Sequence, residues 1–508
     1  MAVRQALRTA RRQQVSRGVS IPAGSGGWNR RDSLDQMKPE DAVILDNWIP
    51  EPNGTRLRRG FEPHATGLGA AVQTLAEWAG PSGRDLIAAA NGKIWDVTSA
   101  AAATELATGY TSNKWQTANF MGRLFGVNGT DAPFDYNGTA VASTAWTGLT
   151  IANLIDVNVY RSRLWFVEQN TTYAWYGGVE AITGALTRFN LASVARRGGK
   201  LLCTKTWSRD SGNGPSQYIV FVMDTGECLV YQGADPGFSD FAIVARFEIG
   251  EPLTIRAFCN FGPDLLVLTR DGVLPFSQIM SIGYATQNMA ISKKIGDAVG
   301  DVVRQYGATF GWEIMSYPQS DWIVVNVPVA SGATQYQYVM NAVSGGWCRF
   351  KGMNANTFCL LNNDLYFGGN DGVVYKADTG TSDNGSNIEG DIQTAFNYCG
   401  SRGTNKSFRL VRPVLFSDGD IMPALDINTD FQSINPTGTP TFSGSAGTEW
   451  DAGDWDSFDW AGGLALKAQW ISVNGLGYNA SVRMQVATNT VECLLNSFDI
   501  VFENGGFM

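Results

Sequence analysis

Short apolar runs separated by glycine-bearing turns recur along most of the chain. Leu265-Leu266-Val267-Leu268, for example, is followed by the turn dipeptide Asp271-Gly272 and a second run, Val273-Leu274-Pro275-Phe276. Runs this brief, rich in aliphatic and β-branched residues, suit strands and are too short for stable helices. Asn91-Gly92, Asp271-Gly272 and Asp371-Gly372 supply the positive φ angles that tight hairpin turns need. Seven such units follow one another: 85–98, 123–139, 163–176, 218–235, 264–277, 321–350 and 364–380.

A lone hairpin does not stay folded in water, so these units must share a core. Between the markers Leu86, Leu124, Leu164, Ile219, Leu265, Ile323 and Leu365 the steps run from 38 to 58 residues. Repeats of about 40 to 50 residues match a four-stranded propeller blade. The pattern predicts an all-β chain whose residues 61–380 form a β-propeller of six or seven blades, six if the first and last hairpins share one blade. A pair of β-sandwiches is the competing arrangement, because it also spaces short strands evenly. The unbroken series of seven similar units favours the propeller.

The two ends read differently. Residues 1–60 are expected to form an N-terminal arm and docking segment. In it Arg4, Arg8, Arg11 and Arg12 fall at helical spacing, ahead of a polar loop containing Gly24, Gly26 and Gly27. The stretch 379–386 (TGTSDNGS) reads as a linker. Residues 381–508 are expected to form a C-terminal β-sandwich-like domain with strands near 408–415, 464–473, 481–486 and 490–502. A long loop, 437–463, interrupts it.

Composition narrows the chemistry. The chain has 508 residues, 44% hydrophobic and 17% charged, so it can bury a large core. Its single histidine, His64, excludes a multi-histidine zinc site and leaves almost no room for a histidine-based triad. Seven cysteines without CxxC spacing read as buried thiols, not as a disulfide framework. No P-loop, nucleophile elbow or dinucleotide fingerprint occurs. The expectation is a protein that is not an enzyme, with no catalytic residues, no cofactor and no metal site.

The net charge is −9, yet the first seventeen residues hold five arginines and no acid. An acidic remainder is not a nucleic-acid clamp, since gripping phosphate needs many cations. No apolar run approaches the roughly 20 residues of a membrane span. The arginine-rich start lacks the apolar stretch of a secretory signal and reads as a solvated or docking tail.

Three constellations carry candidate function. Glu449, Asp451, Asp454, Asp456 and Asp459 interleave with Trp450, Trp455 and Trp460. This loop is expected to be a subunit interface, where tryptophan is enriched. A sugar platform, a calcium site, or a glycosidase pair of Asp451 and Asp459 are its alternatives. Arg196-Arg197-Gly198-Gly199-Lys200 reads either as a partner-docking point or as a solvated turn, and Arg56, Arg58 and Arg59 read the same way. Arg4, Arg8, Arg11, Arg12, Arg196 and Arg197 are therefore the candidate residues for docking an adaptor or another partner.

Several segments are similar to a known family. They include Gly26-Gly27-Trp28-Asn29, Met37-Lys38-Pro39-Glu40-Asp41-Ala42, Leu45-Asp46-Asn47-Trp48-Ile49-Pro50 and Leu57-Arg58-Arg59-Gly60-Phe61. GVNGTDAPFDYNGT (126–139), GALTRFNL (184–191), LLVLTRDGV (265–273) and LYFGGNDG (365–372) continue the likeness. Together they resemble the tail nozzle family of short-tailed bacteriophages, the tail tubular protein B type. The resemblance implies a structural virion protein of the phage tail, assembled in the host cytoplasm. It implies a propeller subunit, six copies of which ring the distal end of the tail, with a tail adaptor and fibres or spikes as partners. Such a ring retains packaged double-stranded DNA and passes it during ejection without sequence-specific binding. A host-surface glycan-binding propeller adhesin and a head-completion plug nearer the portal are the alternative functions.

Overall fold

The computed structural model describes residues 16–210, 215–329, 334–444 and 464–505. Each of the seven hairpins foreseen above lies within an antiparallel meander. Blade one comprises Thr74–Gly80, Gly83–Ala90, Lys93–Asp96 and Thr104–Thr108. Blade two comprises Gln116–Phe120, Arg123–Val127, Phe134–Tyr136 and Val141–Ser143. Blade three comprises Leu154–Tyr160, Arg163–Glu168, Tyr173–Tyr176 and Thr187–Asn190. Blade four comprises Leu201–Asp210, Pro215–Met223, Glu227–Gln232 and Ala242–Glu248.

Blade five has three strands, Phe258–Phe261, Asp264–Thr269 and Gly272–Pro275, and the helix Phe276–Ile282 packs on it. Blade six comprises Glu313–Tyr317, Trp322–Val327, Tyr336–Asn341 and Trp347–Lys351. Blade seven joins Ala355–Leu361, Asp364–Gly369 and Val374–Ala377 to Phe61–Thr66, so an early strand closes the ring on a late one. Six of these meanders are sheets of their own, and the blade-six meander belongs to a larger sheet. The ring order is set by packing of innermost strands, with Ala355–Leu361 against Thr74–Gly80 at the seam.

Turn chemistry explains part of this regularity. Asn91 and Gly92 both take positive φ, 54° and 69°, as a two-residue hairpin turn requires. The same turn is made by Met121-Gly122, Arg161-Ser162 and Asn362-Asn363 between first and second strands. Apolar clusters lie between blades. Trp78, Trp115 and Phe134 fill the gap between blades one and two, and Phe125, Trp146 and Phe166 the gap between two and three. Trp165, Phe221 and Tyr231 lie between three and four. Each large aromatic buried this way contributes several kcal/mol, about 3–5 for its loss to alanine.

The second unit is a β-sandwich, and both ends of the chain build it. One sheet contains Ser16–Pro22, Trp48–Glu51, Gly54–Leu57, Lys406–Ser417, Ala465–Lys467, Ile471–Gly477 and Cys493–Asn504. The facing layer contains Asp41–Asp46, Ile388–Thr394, Ala424–Thr429 and Ala480–Thr488. Alternation places Val411, Leu415, Phe498 and Ile500 of the first sheet and Ile392, Val482 and Met484 of the second in a common core.

Residues 16–57, expected as part of an arm, are thus strands and turns of the folded body. Leu45, Trp48, Ile49 and Leu57 are too apolar to be left in solvent, and the sandwich supplies their cover. The expected linker is pinned as well. Gly60 N donates to Gly380 O, Phe61 N to Ser382 O, and Asn384 N to Phe61 O. Blade six and the sandwich are one continuous sheet, because Asp46 pairs in parallel with Arg349.

Candidate functional site

The innermost strands leave a central axis, and one mouth of it is filled by side chains from opposite sides of the ring. Arg256 precedes blade five, and only 9% of its side chain is exposed. Its Nη1 donates to Gln73 O at 2.9 Å, and its Nη2 to Thr74 Oγ1 and Trp115 O, both at 2.8 Å. These acceptors belong to the entries of blades one and two. The carboxylate of Glu313, at the start of blade six, lies 4.0 Å away and accepts the Phe358 N–H of blade seven.

The Phe310 ring sits beneath, 5.4 Å from the Arg256 guanidinium and 4.5 Å from Lys114 Nζ. Burial lowers Arg256 and raises Glu313 from their ordinary values, and their mutual attraction opposes both shifts. A buried guanidinium is costly unless its donors are satisfied, and here strands from across the ring satisfy them. Lys205 of blade four also pairs with the buried Asp156 of the neighbouring blade three at 3.2 Å, while the Arg256 bonds cross the ring. The axis is therefore bridged by polar contacts.

A second charged constellation fixes the propeller to the sandwich. The Arg58 side chain is fully buried, and its two terminal nitrogens grip Asp383 at 2.7 and 2.5 Å. It also donates to Asn47 Oδ1, Arg59 O and Lys351 O. Gly352 has φ of 105°, and a side chain there would strike Asp383 and Arg58. Beside it, Arg349 holds Asp46 through two bonds of 2.7 and 2.8 Å, joined by Lys351 at 2.6 Å. Four chain segments meet at this point.

A cleft of about 640 Å³ opens next to the junction, lined by Asp46, Lys351, Asp383, Glu389, Asp391 and Arg483 among others. Asp46, Asp383 and Asp391 are all held by cations, the last by Arg483 at 3.0 and 2.6 Å. Carboxylates engaged in this way are poor general bases. Among the described residues, no group of three His, Cys, Asp or Glu is placed to hold a metal ion.

The residues singled out from sequence fall into three groups. Arg196 and Arg197 form an ordered turn between blades three and four. Their backbone N–H groups donate to the buried carboxylate of Glu227, at 2.9–3.1 Å. Their side chains are exposed, and Arg197 meets Glu248 at 3.1 Å. Arg58 is a buried tie rather than a surface cation, whereas Arg56 and Arg59 are part exposed and pair with Glu51 and Glu492. Arg4, Arg8, Arg11 and Arg12, and the tryptophans Trp450, Trp455 and Trp460, lie outside the described residues, as do Asp451 and Asp459.

The seven cysteines are free thiols, and burial pushes those that shift above the ordinary value, Cys399 to about 11. The sequence reading missed Arg256. Its signal was a lone charge within an otherwise uncharged stretch, Leu253-Thr254-Ile255-Arg256-Ala257-Phe258, which marks a buried and paired cation.

No protein-family model matches this chain, and no curated protein matches it. Among solved structures, BBS1N in complex with ARL6DN, soaked with mercury, is similar at 9% identity. That match covers 63% of this chain and 97% of the other, with a TM-score of 0.41. The lead-soaked form of the same complex gives 8% identity, 64% and 99% coverage, and a TM-score of 0.40. The computationally designed Ika8 protein gives 12% identity, 62% and 99% coverage, and 0.33. At these scores the likenesses add nothing to the strand pairing above and nothing about function.

Proposed function

We propose that this chain is a structural subunit of a short-tailed phage tail nozzle, a ring that forms the distal DNA channel. The family resemblance of the sequence raises this reading. The observation that carries it is the bridged axis: Arg256, ahead of blade five, bonds across the ring to the entries of blades one and two, so a duplex has no route through one subunit. A conduit built from such units lies between copies, with each propeller and its fused sandwich as a section of wall. The shared sheet at Asp46 and the buried Arg58–Asp383 pair make that section stiff.

Charge supports the same reading. Each copy carries −9, so six copies carry six times that, −54. A wall that repels phosphate lets DNA slide, whereas a basic wall binds it. In this reading the ring contacts an adaptor above and fibres or spikes at its side, and the chain performs no catalysis.

Immunogold electron microscopy of intact virions with an antibody to this chain tests the reading. Label at the distal tip of the tail is expected. Label at the head vertex would assign the chain to head completion, and label along fibres would assign it to adhesion.

A further inference from the structure

Exposed large apolar side chains are unevenly placed. One group lies on the sandwich, where Trp470, Leu476 and Tyr478 are 41%, 61% and 41% exposed. Strand alternation sets them on one side of Ile471–Gly477, whose burial alternates residue by residue. Residues 468–482 contain no charged side chain. Exposed strands of soluble proteins are normally blunted by charge, and this one is not. A second group lies on blade four, where Phe238, Ile243 and Val244 are 68%, 39% and 49% exposed. A bulge opposite Val230/Tyr231 leaves Val244 unpaired, so that it and Ile243 both reach solvent.

Blade four's edge strand also carries Arg246 and Glu248, paired within the chain to Glu227 and Arg197, so its bare part is the cluster Phe238, Ile243 and Val244. The other blade edges are protected by different means. Blade one carries Glu105 and a bulge, blade two ends in a three-residue strand, and blade three carries Arg188. Blade five has its helix, blade six the sandwich, and blade seven the extra strand Ala101–Ala102. Charge distinguishes the two bare patches. Beside the sandwich patch stands Arg409, exposed at a bulge next to Ile471–Gly477. Beside the blade-four patch stands Asp240, also exposed. Neither has an ion-pair partner within 4 Å among the described residues.

We propose that these two patches meet between neighbouring copies: the Trp470/Leu476/Tyr478 face of one copy covers the Phe238/Ile243/Val244 edge of the next, and Arg409 pairs with Asp240. Two different patches on one chain make a head-to-tail contact, which closes into a ring when the rotation per copy allows it. The inference rests on the ring reading above and specifies its subunit contact.

The test is a mixing experiment read by native mass spectrometry. Wild type should assemble. Leu476→Asp and Phe238→Asp should each be monomeric, with circular dichroism and melting as in wild type. Mixed, they should give a one-to-one dimer and nothing larger, because each retains one intact face. Should Phe238→Asp fail to fold, Val244→Lys serves in its place. Arg409→Asp and Asp240→Arg should each weaken assembly at least tenfold, and the double swap should restore it. Rings of wild-type size from Leu476→Asp, a mixture that stays monomeric, or a double swap without rescue would each overturn the contact. Wild type that stays monomeric even with the adaptor present would overturn it too. Tail-tip label on virions would still uphold the ring reading in those cases, so the two failures are distinguishable.

Discussion

In blades one to five, hydrogen-bonded strand partners are sequence neighbours, as in Leu154–Tyr160, Arg163–Glu168 and Tyr173–Tyr176. In the sandwich the partners are far apart: Ser16–Pro22 pairs with Cys493–Asn504, and Asp41–Asp46 with Ile388–Thr394. The propeller is thus a sum of local units joined at apolar seams, while the sandwich exists only when both chain ends are present. Local pairing carries a small loop-closure cost and long-range pairing a larger one, so the two regions should respond differently to damage.

The largest effect should come from deleting residues 16–57. This removes strands from both sandwich sheets and the Arg58 partner Asn47, and loss of the folded protein is expected. Circular dichroism and size-exclusion chromatography would check it, and a soluble, cooperatively melting product would mean that the segment is a dispensable arm after all.

Next comes Arg58→Met, which leaves Asp383 buried without its partner. A loss of about 3–5 kcal/mol is expected from urea unfolding. Hydrogen exchange should rise at 380–394 and at 347–351 while blades two and three stay protected. Arg256→Met should cost about 2–4 kcal/mol, because three acceptors lose their donor and the buried Glu313 loses its nearby cation. In this case exchange should rise across the entries of blades one and two, with the sandwich unchanged.

The smallest effect separates a single blade contact. Asp131 links the entry of blade two to its own turn, accepting bonds from Thr111, Ser112 and Asn128 at 2.6–3.1 Å. Burial pushes its carboxyl up, but these donors outweigh that and hold it below the usual 3.8. A depressed carboxylate stabilises the fold above its unfolded pKa, and the contribution is lost as pH falls through the folded value. Asp131→Asn should therefore cost about 1–2 kcal/mol at pH 7 and little at pH 2, by thermal melts at both.

The same contrast explains what the sequence made legible. The blade hairpins announce themselves within a few residues, through Asn91-Gly92 or the run Leu265 to Leu268, and all seven are present. First-to-second turns such as Arg161-Ser162 were hidden, since neither residue usually adopts positive φ. The helices Phe276–Ile282 and Gly296–Tyr306 were hidden too, lying between two hairpins and buried against strands. Arg58 looked like a surface cation because its partner, Asp383, is 325 residues away. Of the site, Arg196 and Arg197 lie in a turn, one of the two readings their sequence left open, but the groups that bridge the axis converge only in the ring.

Pairing of Ser16–Pro22 with Cys493–Asn504 also sets a schedule for biosynthesis. At about 5–20 residues per second, the first strand waits roughly 25–100 s on the ribosome for its partner. Through that interval Ile21, Leu45 and Trp48 have no finished sandwich core to enter, while the early blades can already form. A newly made chain is therefore a growing propeller trailing a sticky leader, and trigger-factor-like holdases that bind exposed apolar segments have their longest engagement at its front.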